Sequence, residues 1–184
     1  MRDEISNNVD EVYFARGAIY ILTLDKKLYV SGVTTITEWP YNYMIGIEED
    51  SYKLVKLLEN VEYCSIRLYG KYAVVKDEND VLHFYTWGVS DSGAVIGGNY
   101  TVPTEITNLP FEINKINKIA ISQRLCYVIT TDGELYGLGM SRKDGYGVNG
   151  LNKTTTVFTK FEETLFNNEK IIDVQSSDHN SNAT

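Results

Sequence analysis

The chain has 184 residues, of which 43% are hydrophobic, and its formal net charge is −8 at pH 7. The composition suits a packed soluble core, and the acidic balance argues against a nucleic-acid partner, because phosphate binding draws on clustered lysine and arginine. No apolar run approaches the roughly 18 residues of a membrane span, and the polar start of the chain does not resemble a signal peptide.

After a polar lead-in at residues 1–10, three stretches repeat one order of elements. Each has a strand-like run, a short charged turn, and a second run that ends in glycine. The closing glycines are Gly32, Gly88 and Gly139, which lie 56 and 51 positions apart. Repetition at such a period predicts a solenoid or a propeller. The predicted blade-like repeats are residues 11–60, which are degenerate, 61–116 and 117–169, with the start of a truncated fourth at 170–184.

Period-two alternation within the repeats predicts which strand residues point inward. It assigns the inward positions of the first repeat to Ile19, Ile21, Leu28 and Val30. Residues 25–27 and 131–134 are typical of hairpin turns, the second more clearly because it contains Asp-Gly. The remaining predicted inward residues are Tyr72, Val74 and Val128, and the predicted closing strands are residues 53–58, 104–109 and 157–161.

The sequence carries no recognisable catalytic or metal-binding motif. Cys64 and Cys126 occupy different places in their repeats, which favours two buried free thiols over a disulfide or a metal pair. No nucleophile, base and orienting acid recur at suggestive spacing, and His83 is interpreted as an ordinary strand histidine. The glycine-rich loops lack the Lys-Ser/Thr of a phosphate-binding loop. We therefore expect no cofactor, no metal site and no catalytic residue.

Two stretches resemble the repeat of the regulator of chromosome condensation family. Residues 87–93 read Trp-Gly-Val-Ser-Asp-Ser-Gly and are followed by Gly97-Gly98 and by Pro103-Thr104. Residues 128–136, Val-Ile-Thr-Thr-Asp-Gly-Glu-Leu-Tyr, are similar to the hairpin of the same repeat. The resemblance implies an all-β fold, a partial β-propeller of about three four-stranded blades plus the start of a fourth. It also implies structural roles for His179 and for a set of glycines: Gly32, Gly88, Gly93, Gly97, Gly139 and Gly145.

Members of this family usually have seven blades, whereas three repeats cannot close such a ring. We expect either a longer parent chain or other copies of the chain to complete the propeller. The founding member is a nucleotide-exchange factor for a small GTPase, and it uses a protruding hairpin and basic surfaces. Neither feature is found in this sequence, so a regulatory propeller acting on a small GTPase is disfavoured.

The loops differ between the repeats while the strands recur, and variable loops on a constant scaffold are where binding usually resides. The sequence therefore predicts a non-catalytic binding or scaffold module with a protein or glycan partner. An enzyme with a loop-built site is the alternative. The abundance of Asn, Ile, Lys and Tyr indicates an AT-rich bacterial or phage genome, hence a cell-surface or virion-attached protein. The candidate partner-binding residues are Trp39, Tyr41, Tyr43, Arg142, Lys143 and Tyr146.

Overall fold

A computed structural model of the chain describes residues 5, 7–34, 43–89, 94–122, 124–140, 151 and 154–175. Several residues singled out in the sequence lie outside this part of the chain: Trp39, Tyr41, Gly93, Arg142, Lys143, Gly145, Tyr146 and His179. Among the described residues, no helix is long and apolar enough to cross a membrane.

The described residues form three four-stranded antiparallel sheets, each built from four strands that are consecutive in sequence. This confirms the all-β, partial-propeller prediction. We call the sheets blades 1, 2 and 3. Their strands are β1 Val9–Ala15, β2 Ala18–Thr23, β3 Leu28–Gly32 and β4 Ser51–Leu58 in blade 1; β5 Val61–Ile66, β6 Gly70–Lys76, β7 Leu82–Gly88 and β8 Tyr100–Glu105 in blade 2; and β9 Ile116–Ile121, β10 Leu125–Thr130, β11 Leu135–Gly139 and β12 Thr155–Lys160 in blade 3.

The blades pack face to face around their first strands. Strand β5 contacts both β1 and β9, so the first strand of each blade lies on the inside of an arc. We call the side of a blade that faces the next blade its trailing face, and the opposite side its leading face. Tyr20 and Leu22 on the trailing face of blade 1 pack with Ile66 and Trp87 on the leading face of blade 2. A second apolar cluster joins blades 2 and 3 in the same way.

Ile19 and Ile21 do not point into this core, contrary to the alternation assigned from the sequence. The register pairs Tyr20 with Val30 and places both on the trailing face, where they are fully buried. Ile19 and Ile21 therefore lie on the leading face, and Ile19 is 43% exposed. The inward assignments of Leu28, Val30, Tyr72, Val74 and Val128 are confirmed, since all five are buried.

The closing strand of blade 2 lies earlier than the predicted 104–109. It spans Tyr100–Glu105, with Glu105 opposite Tyr85. Beyond Glu105 the side chains of Ile106, Leu109 and Phe111 pack against the core between blades 2 and 3. After Ile106, whose N–H still donates to the carbonyl of Phe84, the segment leaves the sheet edge and leads to the 3₁₀ turn at Ile113–Lys115.

Candidate partner-binding loops at one end of the arc

The long connections of the three blades all leave the same end of the arc. In an antiparallel meander the connections after the first and third strands lie at one end of the sheet, and the connection after the second lies at the other. Residues 33–50, 89–99 and 140–154 each follow a third strand. We call the end that carries them the loop end, and the opposite end, with the tight turns at 24–27, 77–81 and 131–134, the turn end.

Each long loop is fixed at its root by the same main-chain hydrogen bond. The residue after the closing glycine donates its N–H to a carbonyl in the turn between the first and second strands of its blade. The three bonds are Val33 N to Gly17 O at 2.8 Å, Val89 N to Tyr69 O at 3.1 Å and Met140 N to Arg124 O at 3.1 Å. The loops therefore start from equivalent, rigid positions.

Two of the loops are also tied to the following blade. The Gly46 N–H donates to the carbonyl of Thr101, 3.1 Å away, and the Gly97 N–H donates to the carbonyl of Thr156, 3.0 Å away. Gly46 thus occupies in blade 1 the place that Gly97 occupies in blade 2, although the first repeat lacks the glycine pair of the second. These bonds join a loop of one blade to the fourth strand of the next.

Each of these two loops is hydrogen-bonded at its base by a tyrosine of the second strand. The tyrosine occupies the same strand position in both blades. Tyr20 and Tyr72 both lie two residues after the residue that pairs with the closing glycine. The Tyr20 hydroxyl donates to the carbonyl of Ile45 at 2.7 Å. The Tyr72 hydroxyl donates to the carbonyl of Ala94 at 2.8 Å and accepts from the Ile96 N–H at 3.2 Å. Burial of both hydroxyls makes these hydrogen bonds well shielded from water.

Tyr43 is buried, which corrects its assignment as an exposed partner-binding residue. Its side chain belongs to the core between blades 1 and 2, and its N–H donates to the carbonyl of Thr34 at 2.7 Å. The guanidinium carbon of Arg16 lies 5.3 Å from the centre of the Tyr43 ring. Tyr43 therefore anchors the end of the first loop by packing, and it offers no free surface to a partner.

Lys71 is a buried lysine between blades 1 and 2 that the sequence analysis did not single out. Its Nζ donates to the carbonyls of Tyr43 at 3.2 Å, Met44 at 3.4 Å and Tyr69 at 3.3 Å. Burial lowers the pKa of Lys71 to about 7. The signal in the sequence was a charge near the start of an apolar strand, at the position that Ile19 and Cys126 occupy in the other blades.

Arg16 and Tyr69 also connect blades 1 and 2. Each lies in the turn between the first and second strands of its own blade. The Arg16 Nη1 donates to the Tyr69 hydroxyl at 2.8 Å. Together with Lys71 and Tyr43, they form a polar junction at the root of the first loop. We call these four residues the loop junction: Arg16, Tyr43, Tyr69 and Lys71.

The predicted structural glycines within the described chain differ in backbone conformation and in the atoms that they approach. At Gly88 φ is +120°, and an added Cβ would lie 1.8 Å from the carbonyl oxygen of Tyr69. At Gly32 an added Cβ would lie 2.1 Å from the carbonyl oxygen of Gly17. Gly97 makes the inter-blade bond described above, and Gly139 pairs with Leu125 at the end of β11.

The chemistry of the two cysteine thiols favours a structural role. Burial raises the pKa of Cys64 to about 11 and also raises the pKa of Cys126, so neither is readily ionised near neutral pH.

A cleft of about 630 Å³ lies between β1 and β5, and Tyr13, Glu62 and Arg67 line it. Burial raises the pKa of Tyr13, whose hydroxyl lies 3.3 Å from the Cys64 Sγ. The described residues include no group of three or more side chains suited to a metal ion.

No family model matches the chain, and no curated protein matches its sequence. Solved structures match its fold. Prp20p from Saccharomyces cerevisiae, described with its binding to Gsp1p and histones, has a TM-score of 0.70 at 18% identity over 96% of this chain and 43% of that one. Human WBSCR16 has a TM-score of 0.65 at 18% identity over 91% of this chain and 42% of that one. Yeast RCC1 (Prp20) bound to Kap60 has a TM-score of 0.65 at 18% identity, over 96% and 41% of the two chains.

These similarities define the class of protein by its fold. The three blades have the architecture of the regulator of chromosome condensation type β-propeller, which confirms the resemblance noted in the repeats. The chain spans less than half the length of the propellers that it matches.

Proposed function

We propose that this protein is a non-catalytic binding module that contacts a protein partner through the loop end of the arc. The observation that carries the proposal is the repeated anchoring of loops that differ in sequence. All three long loops start from the same main-chain bond, and two are tied to the next blade through Gly46 and Gly97. A rigid scaffold that displays variable loops is a common design for recognition.

The comparisons support a protein as the class of partner. Prp20p is described with Gsp1p and histones, and yeast RCC1 with Kap60, and all of these are proteins. Fold alone does not transfer a particular partner, so none of them is assigned to this chain. A glycan partner is the second outcome of the test below. A bacterial or phage source and a virion or cell-surface location are hypotheses from composition alone.

We also propose that further blades, from a longer parent chain or from other copies of this chain, cover the open side of the arc. In each of the two blade contacts of the structure, an apolar face of one blade is buried by the next. Blade 1 has a leading face without such a neighbour among the described residues. Sheets with one apolar face are stable only when that face is covered.

Photocrosslinking at the two ends of the arc tests the binding proposal. A benzophenone amino acid replaces Tyr41 or Tyr146, which belong to the long loops by sequence, and Glu78 or Val81 in the turn at 77–81 as matched controls. We expect a specific protein adduct from an extract of the source cells only with the loop-end probes. Exchange of residues 38–42, which leaves the buried Tyr43 in place, or of residues 141–146 for a foreign loop then weakens binding of the purified partner at least tenfold. Equal labelling from both ends, or full binding after both exchanges, contradicts the proposal, and adducts with glycan alone favour the second outcome.

A further inference from the structure

The leading face of blade 1 exposes apolar residues at positions that are buried in the other two blades. Phe14 pairs with Ile19 across β1 and β2, just as Ile66 pairs with Lys71 and Ile121 with Cys126. Phe14 is 72% exposed, whereas Ile66 and Ile121 are buried against the preceding blade. The repeat therefore places Phe14 where the protein elsewhere makes a contact between sheets.

The neighbouring positions show the same contrast. Val12 pairs with Ile21, and the equivalent pairs are Cys64 with Ala73 and Ile119 with Val128. Val12 is 46% exposed and Ile19 is 43% exposed, while all the equivalent side chains of blades 2 and 3 are buried. Tyr52 on β4 extends the same face and is also exposed. We call this surface, formed by Val12, Phe14, Ile19, Ile21 and Tyr52, the open face.

On the opposite side of the arc, the described chain covers the trailing face of blade 3. Leu125, Tyr127 and Ile129 on the trailing face of blade 3 are buried in a cluster with Phe161 and Val174. Phe166 and Ile171 pack against this cluster, and the Ile171 N–H donates to the carbonyl of Gly133 at 3.1 Å. An ion pair between Lys118 and Asp173 fixes the same segment. Of the two outer blade faces of the described chain, the open face is therefore the uncovered one. A second copy of the chain presents the same face.

Charge favours contact through this face over approaches that bring the acidic surfaces of two identical molecules together. The chain carries a formal net charge of −8, so two copies repel each other over most of their surfaces. The five residues of the open face carry no charge. Lys56, which pairs with Tyr29 on the same side of the sheet, is neutralised by an ion pair with Glu59. A neutral apolar face can pack against its own copy without placing like charges together.

We infer that the open face binds the open face of a second copy, giving a two-fold symmetric dimer. The two blade-1 sheets then pack as a β-sandwich about 10 Å apart, with Phe14 and Ile19 of both copies in the contact. Four strands about 4.8 Å apart and about six residues long give a footprint of roughly 400 Å². This is smaller than the roughly 800 Å² per partner of a stable complex, so we expect a reversible dimer with a micromolar dissociation constant. The inference depends on the proposed covering of the arc, not on binding at the loop end.

Sedimentation equilibrium of the 184-residue chain between about 1 and 300 μM tests the dimer. We expect a monomer–dimer equilibrium that ends at the dimer, because a two-fold contact uses the same surface on both copies. Phe14→Asp and Ile19→Asp each weaken association at least tenfold and leave the melting temperature close to that of the parent. Val157→Asp is the matched control, since Val157 is 57% exposed on β12 of blade 3, and it leaves association unchanged.

Three results overturn the inference. A chain that stays monomeric throughout this range shows that a second copy does not cover the open face. Association that Phe14→Asp and Ile19→Asp leave unaffected places the contact elsewhere. Species larger than a dimer show a head-to-tail contact. The failure of the dimer is distinguishable from failure of the binding proposal, because the crosslinking probes and loop exchanges lie at the loop end and the aspartate variants lie on the open face.

Discussion

The Nζ atom of Lys71 lies 3.2 Å from the main-chain oxygen of Tyr43, inside the contact between blades 1 and 2. The carbonyls of Met44 and Tyr69 lie at similar distances and also accept from it. A lysine of blade 2 thereby holds the end of the first loop of blade 1. Because the equivalent positions carry Ile19 and Cys126, this link is particular to one of the two blade contacts.

Lys71→Met should remove a pH dependence of stability that the parent protein has. In the unfolded chain the lysine keeps its proton up to its ordinary pKa of 10.5, whereas burial lowers the pKa in the folded state to about 7. Between these values the unfolded state binds more protons, so the lysine makes the folded state gain stability as the pH rises from 7 towards 10.5. The hydrogen bonds to three carbonyls favour the protonated form and reduce the effect. We expect a gain on the order of 1–2 kcal/mol between pH 7 and 9.

Urea unfolding of the parent and of Lys71→Met at pH 6, 7, 8 and 9 measures this difference. Lys160, an exposed lysine paired with Glu134 and Glu163, provides the control variant Lys160→Met. The control should retain the parental rise in stability between pH 7 and 9. Parallel stability curves for the parent and Lys71→Met would show that Lys71 does not titrate in this window.

Gly88→Val should destabilise the protein more than Gly32→Val. At both sites a new Cβ would collide with a carbonyl oxygen, of Tyr69 or of Gly17. At Gly88 the φ of +120° adds backbone strain that a β-branched residue tolerates poorly. The extra loss should be on the order of 1–3 kcal/mol. Thermal and urea unfolding of the two variants measure it, and equal shifts in the melting temperature would contradict the prediction.

His83 should stabilise the turn end most when it is protonated, because only the imidazolium can donate to both carboxylates. Its Nδ1 lies 2.7 Å from the Glu105 Oε1, and its Nε2 lies 3.4 Å from the Asp77 Oδ2. The hydrogen bond to Glu105, followed by that to Asp77, raises the pKa of His83 above 6.5. A histidine whose pKa is raised by folding contributes fully below pH 6.5, and the contribution is lost as the pH rises through the folded-state pKa.

NMR titration of the His83 ring provides the measurement, with His83→Gln to assign the signal. Glu105→Gln should lower the pKa more than Asp77→Asn, because the bond to Glu105 is the shorter one. A ring that titrates at or below 6.5 in the parent protein would refute this role for the two carboxylates.

Tyr72→Phe should destabilise the protein by leaving the buried carbonyl of Ala94 and the N–H of Ile96 without the hydroxyl. The expected cost is about 1–3 kcal/mol, since unsatisfied buried polar groups carry the full desolvation penalty. Tyr20→Phe should also destabilise the protein, because the buried carbonyl of Ile45 loses its donor. Tyr29→Phe, on the half-exposed side of β3, is the control. Urea unfolding at pH 7 gives the three values, and a cost for Tyr72→Phe no larger than that of the control would show that the hydrogen bonds of the Tyr72 hydroxyl do not stabilise the loop.

The repeats narrowed the fold to a solenoid or a propeller, and their resemblance to a known repeat family then predicted the fold class. The spacing of Gly32, Gly88 and Gly139 and the hairpin at residues 131–134 mark units that recur in the structure as four-stranded blades. Such features are local, since a tight turn or a close approach of two strands restricts the residue at that position. For the same reason Leu28, Val30 and Tyr72 could be assigned to the core from alternation alone.

The loop junction and the open face required the tertiary structure. Alternation assigned Ile19 and Ile21 to the core because they are as apolar as Leu22. That assignment was wrong, since the pairing of Tyr20 with Val30 places the opposite side of β2 in the contact with blade 2. Arg16, Tyr43, Tyr69 and Lys71 are separated by up to 55 positions, and only the packing of blade 2 on blade 1 brings them together. The sequence by itself determined the repeating unit, because turns and strand periodicity act over a few residues. Which face each unit buries, and against what, depended on contacts between units that no local pattern encodes.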